Sequence, residues 1–438
     1  MKAYFAPTIC LFLLTLIPSI NTAANEIRAI DSTDKLSSSQ LVTAVLQANP
    51  KIEEAQASLR ASIANIETQS TLDDPQFQYR FAPLTINSHR SDGRQLSYGQ
   101  HFEISQKIPF PGKLSLSAKA AEYLAKTRQL DIMTLRLLLA TQAKSLFADW
   151  YFIYQAIAIN QSTQSLLKTI RNIALTRYST GRTSKQDILS VEVEQELLNH
   201  QAIVLKRQQK TILAKLNTLL NRPVESNLPS PQKPTDINEL PDFESLKNKA
   251  IASRPELKTS IATIAYHQTR TELAALDYYP DLKLSAGYNS LWDNEDKRFS
   301  MGVSINLPLN QSKRRAAQQK AIANRQQAKW HKTDLEARIN EELAIAYAQA
   351  EESLHVLHLY RQRLSPLALE NLSAAKANYQ AGKGDFLTLL NSEKNLLQTR
   401  LQTERALADV QRSLAALERA TGSLESLLPD NNTDEVSR

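Results

Sequence analysis

The stretch KTIRNIALTRYSTGRTSKQDILSVEVEQELL, residues 168–198, places one glycine, Gly181, between two runs with helical patterning. From residue 113 to residue 221 there is no other glycine and no proline. Because glycine and proline are the strongest helix breakers, the sequence predicts a long helix over 112–178, a tight turn at Gly181 and a helix over 184–221. At about 1.5 Å per residue the first helix is roughly 100 Å long, too long for a compact domain.

Apolar residues in both helices follow the alternating three- and four-residue spacing of coiled coils. In the helix over 184–221 this series includes Ile188, Val191, Leu198 and Leu205. Long helices must bury such a stripe along other helices. We therefore interpret the stripe as packing and assign it no chemistry.

The same plan occurs twice in the chain. Tyr178-Ser-Thr-Gly181 is matched 201 residues later by Tyr379-Gln-Ala-Gly382, and Asn49-Pro50 is matched 205 residues later by Arg254-Pro255. Matches that recur in one order at a nearly constant offset indicate an internal duplication. The sequence therefore predicts two structural repeats.

A β-hairpin is predicted ahead of each long helix. Apolar and polar residues alternate with a period of two over 75–109 and over 280–308. Runs of about 10–12 residues have the length that a tilted strand needs to cross an outer membrane. The loops between the strands, 87–94 and 293–298, are polar. The alternative is a soluble sheet of two hairpins packed on helices.

These patterns divide the chain into a signal peptide, two repeats, a linker and a tail. Lys2 and the apolar run 4–17 are typical of a cleaved secretory signal, and Cys10 inside that run is not expected to carry a lipid. Pro366 predicts a bend in the second long helix. The predicted boundaries are 1–24 for the signal peptide, 25–222 for the first repeat, 223–241 for a Pro-rich irregular linker, 242–422 for the second repeat and 423–438 for a polar C-terminal tail. Each repeat opens with a helix of about 22 residues, and the second repeat ends with a long helix over 311–380 and a helix over 385–421.

Composition excludes several classes of protein. An apolar share of 42% argues against wholesale disorder, and the single cysteine excludes a disulfide scaffold or a thiolate metal site. A net charge of +7 without a dense basic patch does not indicate a nucleic-acid partner. No phosphate loop and no nucleophile–base pair occurs, so we expect neither an enzyme nor a cofactor. His355 and His358 have no third ligand at helical spacing, and no metal site is assigned.

Four strands of this kind cannot form a closed structure by themselves. The smallest membrane barrels have about eight strands, and an open sheet in hydrocarbon leaves its edge groups unpaired. We therefore expect symmetric copies of the chain to associate, each one contributing four strands and a set of long helices. The number of copies does not follow from this reasoning.

The signal peptide, the duplicated helix–hairpin–helix–helix plan and the Tyr-x-x-Gly turns together resemble the TolC-like outer membrane efflux family. The resemblance implies a mainly α-helical homotrimer, in which long antiparallel helices form a periplasmic α-barrel and four strands per chain complete a shared 12-stranded β-barrel. It implies contact with outer membrane lipid in a Gram-negative bacterium, and docking on a periplasmic adaptor and an inner-membrane pump.

The segment Gln106-Lys-Ile-Pro-Phe-Pro-Gly-Lys113 is similar to the corresponding segment of the heavy-metal (CzcC-like) branch of that family. The expected function is the exit duct of a tripartite efflux system that passively conducts heavy-metal cations. The alternatives are a multidrug or type I protein-secretion channel and, from a different class, a periplasmic coiled-coil adaptor or scaffold.

The resemblance also implies that the two turns lie at the periplasmic tip and close the channel at rest. In the family, a tyrosine of the second turn hydrogen-bonds an aspartate of the first, and a basic residue two positions after the glycine supports this closure. Tyr379 and Asp187 match the first pair, whereas the basic position holds Gly384, with Lys383 one residue early.

Thr388 and Asn391 occupy the positions of the family's acidic constriction, so a charged ring is not expected there. Asp385 is the nearest acidic alternative. Our hypothesis is that Asp187, Tyr379, Lys383 and Asp385 form the resting gate. The predicted tip and gate residues are Tyr178, Gly181, Asp187, Tyr379, Gly382, Lys383 and Asp385.

Overall fold

The computed structural model describes residues 34–82, 99–237, 239–290 and 298–423. The predicted signal peptide, the hairpin loop 87–94 and nearly all of the loop 293–298 lie outside the described residues. So does the predicted tail beyond residue 423.

The described residues are mainly helical, with two small sheets. The helices are α1 (Ser38–Ala48), α2 (Pro50–Ser70), α3 (Lys113–Ser179), α4 (Lys185–Leu219), α5 (Phe243–Ser253), α6 (Pro255–Leu276), α7 (Gln311–Leu359), α8 (Ser365–Gln380) and α9 (Phe386–Thr421). The strands are β1 (Lys35–Leu36), β2 (Gln76–Ala82), β3 (Gly99–Ile108), β4 (Ser230–Pro231), β5 (Leu282–Asn289) and β6 (Phe299–Ile305). The predicted fold class is confirmed.

Local sequence explains where several helices begin and end. Ser37 and Gln40 form a reciprocal capping box at the start of α1. Asp385 caps the start of α9, and Gly422 ends that helix with φ of 73°. Among the described residues, none of the helices combines the length and the apolar character that a membrane-spanning helix requires.

The predicted helix of about 22 residues is present in each repeat, as α2 and α6, and in each a shorter helix precedes it. Two helices, α1 and α2, meet at Asn49-Pro50, just as α5 and α6 meet at Arg254-Pro255. A residue before proline avoids the α conformation, and Asn49 accordingly has ψ of 121°.

The predicted long helix over 311–380 is also interrupted, by a π-helical turn at Tyr360–Leu364 between α7 and α8. Ser365 N–H donates to the Tyr360 carbonyl across this turn, one residue further back than in an α-helix. Pro366 lacks an N–H, and its ring crowds the preceding turn of the helix. The π-helical turn contains one more residue than an α-helical turn, and this relieves the crowding.

The predicted irregular linker over 223–241 contains a short strand. Ser230 and Pro231 of β4 pair in parallel with Lys35 and Leu36 of β1. This pairing fixes the middle of the linker beside the start of the described chain.

The second sheet has the order β2-β3-β5-β6 with antiparallel pairing throughout. Its centre joins the two repeats, because β3 pairs with β5 from His101 opposite Asn289 to Ile108 opposite Leu282. Strands β2 and β6 are its edges.

The register of this sheet places most apolar residues on one face, which also carries Gln100 and Gln106, and polar residues on the other. Directly opposed residues lie on the same face. Tyr79 is opposite Phe102, Phe102 is opposite Tyr288, and Tyr288 is opposite Phe299. The exposed large apolar residues of this face are Phe77, Tyr79, Phe81, Phe102, Ile104, Leu282, Leu284, Phe299, Met301, Val303 and Ile305. The other face carries Gln76, Gln78, Arg80, His101, Glu103, Ser105, Lys283, Ser285, Ser300 and Ser304.

The chain folds into two compact units, and neither coincides with a sequence repeat. Of the described residues, one unit takes 34–50, those within Arg136–Ser245 and 344–423, and it contains both turns at Gly181 and Gly382. The other takes the described residues within Lys51–Leu135 and Leu246–Leu343, and it contains the four-stranded sheet. Each unit therefore combines segments of both repeats.

Candidate functional site

Two matching turns reverse the chain at the positions that the sequence predicted. The first tip turn, residues 180–184, joins α3 to α4, and the second tip turn, residues 381–385, joins α8 to α9. Gly181 N–H donates to the Tyr178 carbonyl over 2.9 Å, and Gly382 N–H donates to the Tyr379 carbonyl over 3.1 Å. Both glycines have positive φ, +68° and +75°, which is the usual way a helix ends at glycine.

The Gly181 backbone gives a direct test of this geometry. A Cβ at this position meets no heavy atom within 4 Å, so a substitution is opposed by the backbone alone. We expect Gly181→Ala to lower the free energy of unfolding by about 1–2 kcal/mol, and Gly181→Asn by less because asparagine tolerates left-handed φ. Thermal unfolding of the purified variants measures this, and equal effects of alanine and asparagine would contradict it.

The four helices that meet at the turns share one apolar core. It is formed by residues of α3, α4, α8 and α9: Leu167, Ile170, Ala174, Ile188, Val191, Leu198, Leu372, Ala375, Tyr379, Phe386, Leu389, Leu390 and Leu396. Both repeats therefore contribute to a single packed tip.

Arg177, at the end of α3, binds the second tip turn. Its guanidinium carbon lies 4.5 Å from the centroid of the Tyr379 ring, and its Nη1 donates a hydrogen bond to the Tyr379 carbonyl. The Tyr379 side chain is 2% exposed and packs edge-on against Phe386 at 5.5 Å. Arg177 thus joins the first repeat to the second by a charged hydrogen bond and a cation–π contact.

The hydrogen bond that the family resemblance implied between Asp187 and Tyr379 does not form within this subunit. The Asp187 carboxylate accepts from Thr183 Oγ1 and, over 3.1 Å, from Ser184 Oγ. The Tyr379 hydroxyl is buried without a hydrogen-bond partner among the described residues. A gating role for Asp187 and Tyr379 stays a prediction.

The remaining predicted residues lie on the surface of the turns. Lys383 is exposed, and Tyr178 is 47% exposed, in contrast to its buried repeat equivalent Tyr379. Asp385 accepts from Thr388 Oγ1 over 2.5 Å and from Thr388 N–H over 3.3 Å, and these hydrogen bonds lower the pKa of its carboxyl. Thr388 and Asn391 are exposed, without charge.

Three glutamates lie further from the turns, along α4 and α9. Glu192 accepts from Arg171 Nε over 3.0 Å and Nη2 over 2.7 Å. Glu194 on α4 pairs with Lys394 on α9 over 2.5 Å. Glu393 is 2% exposed, and burial followed by the charge of Glu194 raises its pKa to about 7.

Sequence reasoning missed Arg177, Glu194 and Glu393. A usable signal for Glu393 was present, because it lies between Leu389 and Leu396 on the apolar stripe, where a charged residue is unusual. No comparable signal pointed to Arg177, whose partner is a backbone carbonyl 202 residues away.

A groove of about 900 Å³ runs between α3 and α4 beside the Arg171–Glu192 pair. It is lined by Gln164, Lys168, Arg171, Asn172, Leu189, Glu192, Val193, Gln195, Glu196, Leu197 and Asn199. Over the described part of the chain, no group of three or more histidine, cysteine or acidic side chains is arranged to hold a metal ion.

Comparison with known proteins agrees with this architecture. The sequence model of the outer membrane efflux protein family matches residues 246–423. The chain is 22% identical over 368 residues to the pyoverdine export outer membrane protein OpmQ of Pseudomonas aeruginosa, covering 81% of this chain and 73% of that protein. It is 23% identical over 380 residues to the putative multidrug resistance outer membrane protein MdtQ of Shigella flexneri, covering 78% and 76%.

Among solved structures, the outer-membrane channel OprN superimposes with a TM-score of 0.75 at 19% identity, covering 88% of this chain and 90% of that one. The family match covers most of the second repeat, and the shared fold extends over both repeats. The second repeat is therefore similar to the outer membrane efflux protein family, and the chain as a whole shares the fold of a solved outer-membrane channel.

Proposed function

We propose that this protein is the outer membrane exit duct of a tripartite efflux system. It passively conducts substrate that an inner-membrane pump and a periplasmic adaptor deliver, and it has no enzymatic activity. The observation that carries the proposal is the four-stranded sheet, which has a mainly apolar face, a polar face and two edge strands that are each paired on one side only within the described chain.

The apolar face is suited to lipid and the polar face to water. Backbone groups at an open sheet edge cannot remain unpaired in hydrocarbon. Within the described chain, β2 and β6 are each paired on one side only. Pairing of β6 with β2 of a neighbouring copy satisfies both edges, and three copies give the 12 strands of the proposed homotrimer.

The experiment is reconstitution of detergent-purified protein into planar lipid bilayers, together with native mass determination. We expect a trimer and discrete conductance steps. A monomer that is stable in detergent-free buffer, or a membrane without conductance, would reject the channel and favour the periplasmic scaffold.

For the substrate, we propose heavy-metal cations on the basis of the segment Gln106–Lys113. In this structure that segment has a packing role. Lys113 Nζ lies 2.9 Å from Asp281 Oδ1, Phe110 N–H donates to the same oxygen over 3.0 Å, and Phe110 stacks on Tyr279. These contacts position the junction between β3 and α3. We propose that the pump, and not this segment, selects the substrate.

The second candidate substrate is a small organic molecule such as a siderophore or a drug. It is favoured by OpmQ and MdtQ, whose names refer to pyoverdine export and to multidrug resistance. Deletion of the gene followed by exposure to zinc, cobalt, cadmium, copper and a drug panel separates the two. Sensitivity to metals alone supports the first candidate, and sensitivity to organic compounds alone supports the second.

A further inference from the structure

A carboxyl group is buried on α9 next to residues of the tip core. Glu393 on α9 is 2% exposed and follows Leu389 and Leu390 in the apolar core shared by α3, α4, α8 and α9. Its Oε2 has no hydrogen-bond partner among the described residues. An ionised carboxylate in such a place costs several kcal/mol, whereas the protonated acid costs far less.

The charges around Glu393 do not neutralise it. Glu194 on α4 and Lys394 and Arg400 on α9 are the charged groups that act on it. Lys394 already pairs with Glu194 over 2.5 Å, so the nearest cation is engaged by another carboxylate. Burial and the negative charge of Glu194 both favour the protonated form of Glu393.

The position equivalent to Glu393 in the first repeat is accessible to solvent and has a different environment. Glu192 is the equivalent of Glu393, and its side chain is 41% exposed and bound by Arg171. The position equivalent to Arg171 in the second repeat is Leu372, which is buried in the tip core. The second repeat therefore has the glutamate, Glu393, without an arginine at the position of Arg171.

We propose that Glu393 is a proton-binding site that holds α4 and α9 together in the resting tip, and that loss of this proton loosens the seam between them. The proposal rests on the channel function proposed above. Arg177 joins the turns at the end of the tip, whereas Glu393 acts within the packed seam between the returning helices.

The direction of the pH dependence follows from the pKa of Glu393, which is about 7 in the packed tip and 4.5 for an unperturbed glutamate. Between these values the packed form binds more protons than a loosened form. Packing is therefore strongest in acid, weakens as the pH rises from 4.5 to about 7, and changes no further at higher pH, where both forms have lost the proton. The ratio of closed to open tips is expected to fall by on the order of a hundredfold across this range, since each pKa unit corresponds to a factor of ten.

The test is single-channel recording of the full-length protein in planar bilayers between pH 5 and pH 8.5. For the wild type we expect open probability to rise as the pH increases from 5 towards 7 and to level off above pH 7, because the two pKa values of Glu393 bound this interval. Glu393→Gln, which mimics the protonated acid, should keep the low-pH behaviour throughout. Glu194→Gln should move the midpoint of this rise to lower pH, because it removes the neighbouring negative charge and frees Lys394.

The matched control is Glu192→Gln, the same substitution at the equivalent exposed position, and it should retain the wild-type transition. The proposal is overturned if Glu393→Gln titrates like the wild type, or if Glu192→Gln abolishes the transition equally. Hydrogen exchange of residues 188–198 and 389–400, corrected for the intrinsic effect of pH, provides a second readout. If no pores form at any pH, the channel function fails, and exchange that is equally pH-dependent in the wild type and Glu393→Gln then rejects the proton site as well.

Discussion

Val303→Lys is expected to prevent stable assembly of the protein in the outer membrane. Val303 is 70% exposed and lies on the apolar face of the edge strand β6. A lysine on the lipid-facing side of a membrane strand costs about 2–4 kcal/mol near the middle of the bilayer. In a homotrimer every chain carries the substitution, so the unfavourable free energy of the assembled trimer is about three times that of one chain.

The matched control is Ser300→Lys, which places the same charge on the same strand but on its polar face. Ser300 lies opposite Gly287, so the new side chain meets no like charge across the ladder. Membrane fractionation and electrophoresis of unheated samples measure trimers of each variant. Equal loss of trimers in both variants would show that the two faces of the sheet do not differ as we infer.

Arg177→Ala is expected to favour the open state of the tip. The variant removes a charged hydrogen bond to the Tyr379 carbonyl and the cation–π contact with the Tyr379 ring. Together these contribute roughly 2–4 kcal/mol to joining the two tip turns. A loss of about 2 kcal/mol raises the ratio of open to closed tips about 30-fold.

Arg182→Ala is the appropriate control, because it removes an exposed arginine from the first tip turn itself. Single-channel conductance and the entry of large antibiotics into intact cells report opening. We expect both to rise for Arg177→Ala and to stay at wild-type values for Arg182→Ala. Unchanged conductance in Arg177→Ala would remove Arg177 from the gate.

Features that depend on local sequence were largely predictable. The tip turn at Gly181 followed from one glycine in a long helical run, and its counterpart at Gly382 followed from the duplication. The strands followed from alternation alone, since side chains of a strand point to opposite faces in turn. The π-helical turn at Tyr360–Leu364 was foreseen only as a bend at Pro366, because sequence does not specify how a helix accommodates a proline.

Contacts between distant segments were not predictable in the same way. Arg177 and Tyr379 belong to different repeats, and the local sequence around either residue does not indicate that the two are in contact. The family resemblance led to Asp187 instead, whose carboxylate is occupied within its own turn by Thr183 and Ser184. Short-range hydrogen bonds of this kind compete with long-range ones, and only the folded geometry decides between them.

The two tip turns of one chain present different chemistry, since Tyr178 is exposed where Tyr379 is buried. A rim built from copies of this chain consequently alternates between two kinds of surface. An adaptor that binds the rim must either recognise both kinds with distinct faces or occupy only every second position. The duplication therefore gives the rim two tip turns per chain, whereas the order of its rotational symmetry equals the number of chains.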